Sequence, residues 1–377
     1  MRVVSVLGGR PHLVKSETIH LALERSDIRH ETVECWLGPL SDYPWTSADF
    51  QLPAPLEVIS EQSAGRLAGR LRRSMASVRP HVLLLYGDLD VTLLALGIAH
   101  QLDIPTVHIE SGYRTGDLAD REEFIRVAVD HGVTHRVAFT SSMAANLHAE
   151  GIDPGTVSHY DNPALFTMAR RLRRPDGAPA AAPSRKATGL VTFHRDENVL
   201  DPERLVRIVG CMEALAASFA LTIVLFRRTD LQLRRLGIRD RLEALAATAA
   251  AVRIRPTLRH EEYVAELSRA SFVITDSSTV QDECAFLGTD CFVLRQASPR
   301  AADFPPTTRI VESIEPAQLA SLAAAAVQRR RETPAKPDVL ARGYDSTFVE
   351  LLKRLTTTGG SAFEALPERP RPNKASS

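Results

Sequence analysis

A chain of 377 residues, 44% of them hydrophobic, is too long for one ordinary core and suits two domains of roughly 150 to 200 residues each. Lysine plus arginine and aspartate plus glutamate both number 46, so the formal net charge is zero; this argues against a nucleic-acid or membrane partner and leaves a small molecule as the expected one. No stretch approaches the roughly 18 uninterrupted apolar residues of a membrane span, and Cys35, Cys211, Cys284 and Cys291 fall singly, without metal-site or disulfide spacing, which fits core thiols in a reducing cytoplasm.

In chain order, residues 2–7 read as a first strand rather than a signal peptide, closed by Gly8-Gly9-Arg10-Pro11. The pattern predicts a helix over 16–23 and a strand over 32–36, then a loop over the sheet at 37–55, where neither period holds. A helix over 64–77, a strand over 82–86 ending in Gly87-Asp88 and a helix over 93–101 follow. The chain then reaches PTVHIESGYRTGDLADREEFIRVAVDH, a buried strand at 106–109 that stops on Glu110 and leads to a helix. Asp120 with Glu123 three residues later is a capping-box pattern, which makes Glu123 a cap and leaves Glu122, with Arg126 one turn on, to face a cleft. A strand is expected at 135–139.

Residues 174–188, rich in Pro and Ala, read as a linker, so that 1–173 form one domain and 189–343 a second. In the second, strands are expected at 190–193, 221–226, 272–275 and 291–294, with helices at 203–215, 261–267 and 280–287. A terminal helix is expected at 344–358, periodic from 344 to 355, and a disordered tail at 359–377. Strands alternating with helices in this way predict two doubly wound α/β domains.

The polar clusters fall just after strands, where open α/β sheets bind ligands: Arg10, Asp88, Glu110, His194-Arg195, Asp276-Ser277-Ser278-Thr279 and Arg295. Any one of them has a plain alternative as a helix cap. Ser277, Ser278 and Thr279 lead into a helix whose N-terminus would hold a phosphate, or else they only cap it. Arg10, Arg227, Arg228 and Arg295 could add charge-assisted bonds to a diphosphate, or lie on a solvated rim. His194 could act as general acid toward a departing phosphate, though a lone histidine is more often structural.

Taken together, GGRPHLVK from Gly8, GDLDVTLLA from Gly87, HIESGYRTGD from His108, REE with Arg126, DH at Asp130, FHRDENV from Phe193 and TDSSTVQDECAFLGTD from Thr275 resemble the UDP-N-acetylglucosamine 2-epimerase family, in order and spacing, over about residues 1–355. The resemblance implies a GT-B-like fold of two Rossmann-like domains, with a UDP-linked sugar in the cleft between them. It implies a homodimer and a reaction with neither metal nor nicotinamide cofactor. Carried over, it makes Asp88, Glu110 and Glu122 the carboxylates near C2 of the sugar and His194 the histidine near the leaving diphosphate. Arg10, Lys15, Ser277 and Glu283 become nucleotide-contacting or site-shaping residues, Glu283 toward the ribose.

The chain departs from the family pattern at His12, usually acidic; at Ser278, usually glycine; at Arg228, usually histidine; and at Tyr160-Asp161, usually Thr-Gly. The expected reaction is C2 epimerisation by loss and re-addition of UDP through a glycal. The alternatives are a hydrolysing epimerase, a GT-B glycosyltransferase and a silent nucleotide-sugar-binding protein.

Overall fold

The structure is a computed structural model that describes residues 1–38, 45–173, 187–249, 251–332, 340 and 343–358. Seven parallel strands form the first sheet: β1 (Arg2–Leu7), β2 (Arg29–Leu37), β3 (Glu57–Glu61), β4 (Val82–Tyr86), β5 (Thr106–Ile109), β6 (His135–Ala138) and β7 (Val157–His159). Their order is β3-β2-β1-β4-β5-β6-β7. A second parallel sheet runs β10-β9-β8-β11-β12-β13, from β8 (Thr188–Phe193), β9 (Ala220–Leu225), β10 (Val252–Pro256), β11 (Phe272–Thr275), β12 (Asp290–Val293) and β13 (Thr308–Ile310). In each sheet the strand order reverses beside the first strand, between β1 and β4 and between β8 and β11. Loops leaving those neighbours in opposite directions open a crevice there.

Helices cover both faces of each sheet, which is why strands such as VLLLY and RVVSVL are buried along nearly their whole length instead of alternating. Helix α1 (Arg10–Glu24) covers one face of the first sheet, and α2 (Ala64–Val78), α3 (Asp90–Gln101) and α4 (Arg121–Gly132) cover the other. Helices α5 (Ser141–Ala149) and α6 (Pro163–Arg173) follow β6 and β7. The second half carries α7 (Asp196–Val199), α8 (Pro202–Ala216), α9 (Arg227–Arg235), α10 (Arg239–Thr248), α11 (His260–Arg269), α12 (Ser278–Leu287) and α13 (Pro316–Glu332).

Two helices join the halves. Met168 of α6 belongs to the core of the second sheet, while Arg171 of the same helix holds the buried Glu17 of α1 through two bonds of 3.1 and 2.9 Å. Helix α14 (Ser346–Thr358) follows the second sheet in sequence but buries Phe348, Val349, Leu351 and Leu352 in the core of the first. Across the crevice, Trp45 Nε1 donates to the Leu258 carbonyl at 3.1 Å and Asn162 Nδ2 to Asp282 at 3.0 Å.

Of the elements expected from the sequence, β4, β5 and β11 match residue for residue, whereas helices α5, α6, α9, α10 and the 17-residue α13 were not expected. Helix α1 starts at Arg10, six residues before the expected start, because Pro11 in its first turn needs no hydrogen-bond acceptor and its fixed φ already suits a helix. The short strands β3, β7, β10 and β13 are sheet edges whose exposed residues blur the apolar pattern. The expected linker lies outside the described residues except for its last two positions, 187 and 188, and so does the whole expected tail, 359–377. Among the described residues no helix is long and apolar enough to cross a membrane.

Phe348 is fully buried, edge-on to Tyr160 at 5.5 Å and to Tyr344 at 4.9 Å. Phe348→Ala is expected to lower stability by about 3–5 kcal/mol, read from urea unfolding. Hydrogen exchange should show α14 opening first, and unchanged protection there would mean that the first core does not depend on this helix.

Candidate active site

The crevice between the sheets is a cleft of about 340 Å³ lined by residues from both halves. Its floor is the turn from β1 into α1 together with the ends of β4 and β5. At Gly8 a Cβ would come within 2.2 Å of Val91, so only glycine lets the turn pass. Two residues on, the Arg10 guanidinium lies 5.5 Å from the Trp45 ring centroid and 4.3 Å from that of Tyr263, held between aromatic faces from opposite walls.

Glu110 directly follows β5 with φ at +86°, a backbone conformation a glutamate rarely adopts. Its N–H and that of Ser111 both donate to the Val137 carbonyl, at 3.2 and 3.0 Å, which turns the chain sharply. Two residues later Gly112 has φ +97°, and a Cβ there would lie 2.3 Å from the Met143 carbonyl oxygen. The strain at Glu110 is offset by two ion pairs, one oxygen with Lys15 and the other with Arg300 at 2.5 Å.

Asp88 pairs with Arg126. Burial alone would raise the Asp88 carboxyl, but Arg126 first, then Arg195, Lys15 and Arg300, outweigh it and hold it below the ordinary value. Glu122 sits in the first turn of α4, where Asp120 caps its N–H at 3.0 Å. Its carboxylate meets Arg195 of the other half at 2.8 Å and Arg126 only at 3.8 Å. The expected capping box does not form: Glu123 instead accepts from the Thr115 and Gly116 N–H groups, both at 2.9 Å, and from Arg126 Nε at 3.0 Å.

The opposite wall follows β8 and β11. Asp276, fully buried, accepts from the backbone N–H groups of His194 and Arg195, each at 2.9 Å, and from Asn198 Nδ2 at 2.8 Å. Burial would raise the Asp276 carboxyl, but the adjacent His194 ring and these donors pull it down to about 2. The His194 ring lies 4.8 Å from that of Phe226, with Nδ1 3.2 Å from Asp276. Ser277 precedes α12 without capping it through its side chain, so the first-turn N–H groups of that helix reach the cleft uncapped beside Ser278 and Thr279. Further along α12, Glu283 accepts from the Tyr263 hydroxyl at 2.5 Å, and burial pushes its carboxyl up to about 6 against the pull of Arg10 and Tyr263.

Of the residues singled out from the sequence, Arg10, Lys15, Asp88, Glu110, Glu122, His194, Arg195, Ser277, Ser278, Thr279 and Glu283 line this cleft. Arg126 and Asp276 stand behind the lining and orient it. Arg228 and Arg295 are not brought to it. Arg228, inside the first turn of α9, is turned to solvent against Asp196 at 2.5 Å, and Arg295 is folded back on Glu197 at 3.1 Å. The sequence reading missed Arg300, which binds Glu110 and, at 2.7 Å, Asp282. It also missed Trp45, Phe226 and Tyr263. The loop containing Trp45 carries no periodic signal, and Arg300 lies seven residues past the end of β12, where no strand-end rule points.

A family model described as UDP-N-acetylglucosamine 2-epimerase matches residues 45–340. The chain is 28% identical to the UDP-2,3-diacetamido-2,3-dideoxy-D-glucuronate 2-epimerase of Pseudomonas aeruginosa, over 78% of this chain and 83% of that protein. It is 25% identical to the UDP-N-acetylglucosamine 2-epimerase of Methanocaldococcus jannaschii, over 80% and 85%. The solved structure of the latter enzyme in complex with UDP-GlcNAc and UDP matches with a TM-score of 0.79 at 22% identity, covering 94% of this chain and all of that one. That of the Neisseria meningitidis enzyme bound to UDP-GlcNAc matches at 0.76 and 21%, covering 94% and 100%. At these identities the structural likeness establishes the fold.

Glu283 offers a test of the cleft's electrostatics. Its folded value, about 6, lies above the ordinary 4.5, so the folded protein holds this proton more tightly than the unfolded chain does. The destabilisation is therefore absent below about pH 4.5, grows up to about pH 6 and is complete above it, reaching about 2 kcal/mol. Glu283→Gln is expected to be more stable than the parent by about that amount near pH 7.5 and equal to it near pH 4, by urea midpoints. A variant less stable near pH 7.5 would show that the attraction of Arg10 outweighs burial.

Proposed function

The chain belongs to the UDP-N-acetylglucosamine 2-epimerase family, and on that premise we propose that it interconverts the C2 epimers of a UDP-linked 2-acetamido sugar. The observation that carries the reading is the convergence of Asp88, Glu110 and Glu122, from a loop, a strand end and a helix, opposite the uncapped N-terminus of α12. The C2 proton of such a sugar is weakly acidic, so its removal must be coupled to departure of the C1 substituent. A carboxylate takes the proton, the C2–H electrons form the C1=C2 bond, and the C1–O bond breaks with its electron pair leaving on UDP. Returning a proton to the other face of C2 while UDP attacks C1 gives the epimer. Inversion needs acid/base groups on both faces, which one carboxylate cannot supply.

In this scheme Asp88, Glu110 and Glu122 move the protons. The uncapped end of α12, Arg10 and His194 stabilise the charge that develops on the departing diphosphate. Asp276 beside Nδ1 leaves the other nitrogen of His194 for the phosphate. Arg195 and Arg126 hold the Glu122 carboxylate in place at the cleft wall. The matched relatives described above are named 2-epimerases, and re-addition of UDP, rather than release of free sugar, is the outcome assigned here. The proposal includes a homodimer, domains at 1–173 and 189–343 with the helix at 344–358 returned to the first, and a cytoplasmic location. The last is in keeping with four buried, free cysteines.

The test is incubation with UDP-GlcNAc and with a UDP-linked 2,3-diacetamido sugar in deuterated water, followed by NMR at C2. Deuterium at C2 of the epimer is expected. Glu122→Gln, nearly isosteric but unable to accept a proton, should turn over about a hundredfold or more slowly. Epimer without deuterium would rule out elimination, and free sugar appearing with UDP would replace re-addition by hydrolysis.

A further inference from the structure

His12 is buried, 2% exposed, in the first turn of α1, and it lines the cleft although the scheme above gives it no task. The Gly8 N–H donates to its Nδ1 at 3.1 Å. That bond fixes the tautomer, because a nitrogen that accepts carries no proton, so the neutral ring has its hydrogen on Nε2. Burial, with Lys15 next, pushes the imidazole down to about 3 against the pull of Asp88, so the ring stays neutral at any working pH. Among the described residues Nε2 has no hydrogen-bond partner. It faces the bare side of Gly87, where an added Cβ would sit 3.5 Å from Nε2 and 3.3 Å from Glu110 Oε2. Gly87 has φ +55°, so backbone and space alike favour glycine there.

The niche over Gly87 thus presents a neutral donor on one side and a carboxylate acceptor on the other. A carboxylate on the sugar has no proton for Glu110 and would be repelled by it. An amide offers both a carbonyl oxygen and an N–H. We propose that His12 is a specificity-determining residue, its Nε2–H donating to the carbonyl oxygen of an acetamido group on the sugar while Glu110 accepts from the amide N–H. The assignment rests on the reading of this cleft as a nucleotide-sugar site. It would give the residue at the position where the chain departs from the usual acidic side chain a donor's task in place of an acceptor's.

The experiment reads binding preference and not rate, so it stands apart from the fate of the C2 proton. Calorimetric titrations with UDP, UDP-glucose and UDP-GlcNAc should give the parent a preference of about tenfold for the acetamido sugar over its hydroxyl counterpart, the scale of one good hydrogen bond. His12→Asn places an acceptor where Nδ1 stood, keeping the Gly8 bond, but does not reach the niche. It should reduce the preference to within about twofold and leave UDP affinity unchanged. His12→Gln, whose amide nitrogen reaches the Nε2 position, should restore much of the preference. A parent that does not distinguish the two sugars, a His12→Asn protein that keeps the full preference, or one that loses UDP and UDP-GlcNAc affinity equally would overturn the proposal.

Discussion

Carboxylates gathered in one cleft repel one another, and ionised groups taken out of water cost several kcal/mol each unless paired. Asp88, Glu110, Glu122 and Asp282 face that problem together, and each is given a cation. Arg126 serves Asp88, Lys15 and Arg300 share Glu110, Arg195 serves Glu122, and Arg300 also binds Asp282. Arg195 and Arg300 belong to the second half of the molecule, whereas the glutamates they hold belong to the first. The pairing that makes the carboxylates tolerable is thus also a bond between the halves of the molecule. It gathers carboxylates at the place where the proposed reaction needs proton acceptors, and it sets the relative position of the two walls.

The fold dictates where this happens. Both sheets reverse their strand order beside their first strand, and Gly8, Asp88, His194 and Asp276 all leave strands next to those reversals. Glu110 comes from the next strand over and reaches the cleft only through a backbone conformation that is unfavourable for it. Strain held in place by two ion pairs positions one carboxylate rigidly, which suits the role proposed for it at one face of the sugar ring. Asp276 does comparable work on the other side, ordering two successive backbone N–H groups so that His194 and Arg195 point outward from the same turn.

How much of this the chain discloses follows from how local each signal is. A strand buried on both faces is an unbroken apolar run, so its end can be read, and Asp88, Glu110, His194 and Ser277 were found by that rule alone. Glu122 was legible as the member of REE left over once Glu123 was assigned a backbone role, although that role is to hold Thr115 and Gly116 and not to complete a capping box. Arg300 was not legible. Its partners Glu110 and Asp282 lie 190 and 18 residues away, and the strand-end rule selected Arg295, which turns toward Glu197. Arg228 failed for a related reason, since a helix begins there and carries the side chain outward. Trp45, from the first half, and Tyr263, from the second, matter only because the fold brings both rings to Arg10.

The claim that the two halves are tied through paired carboxylates is tested most directly by a double-mutant cycle on Glu110 and Arg300, with Glu110→Gln, Arg300→Met and the double variant compared by urea unfolding. A direct, buried, cross-cleft pair predicts a coupling energy of about 1.5 to 3 kcal/mol, with the double variant more stable than the sum of the single losses implies. Losses that add to within about 0.5 kcal/mol would contradict the account.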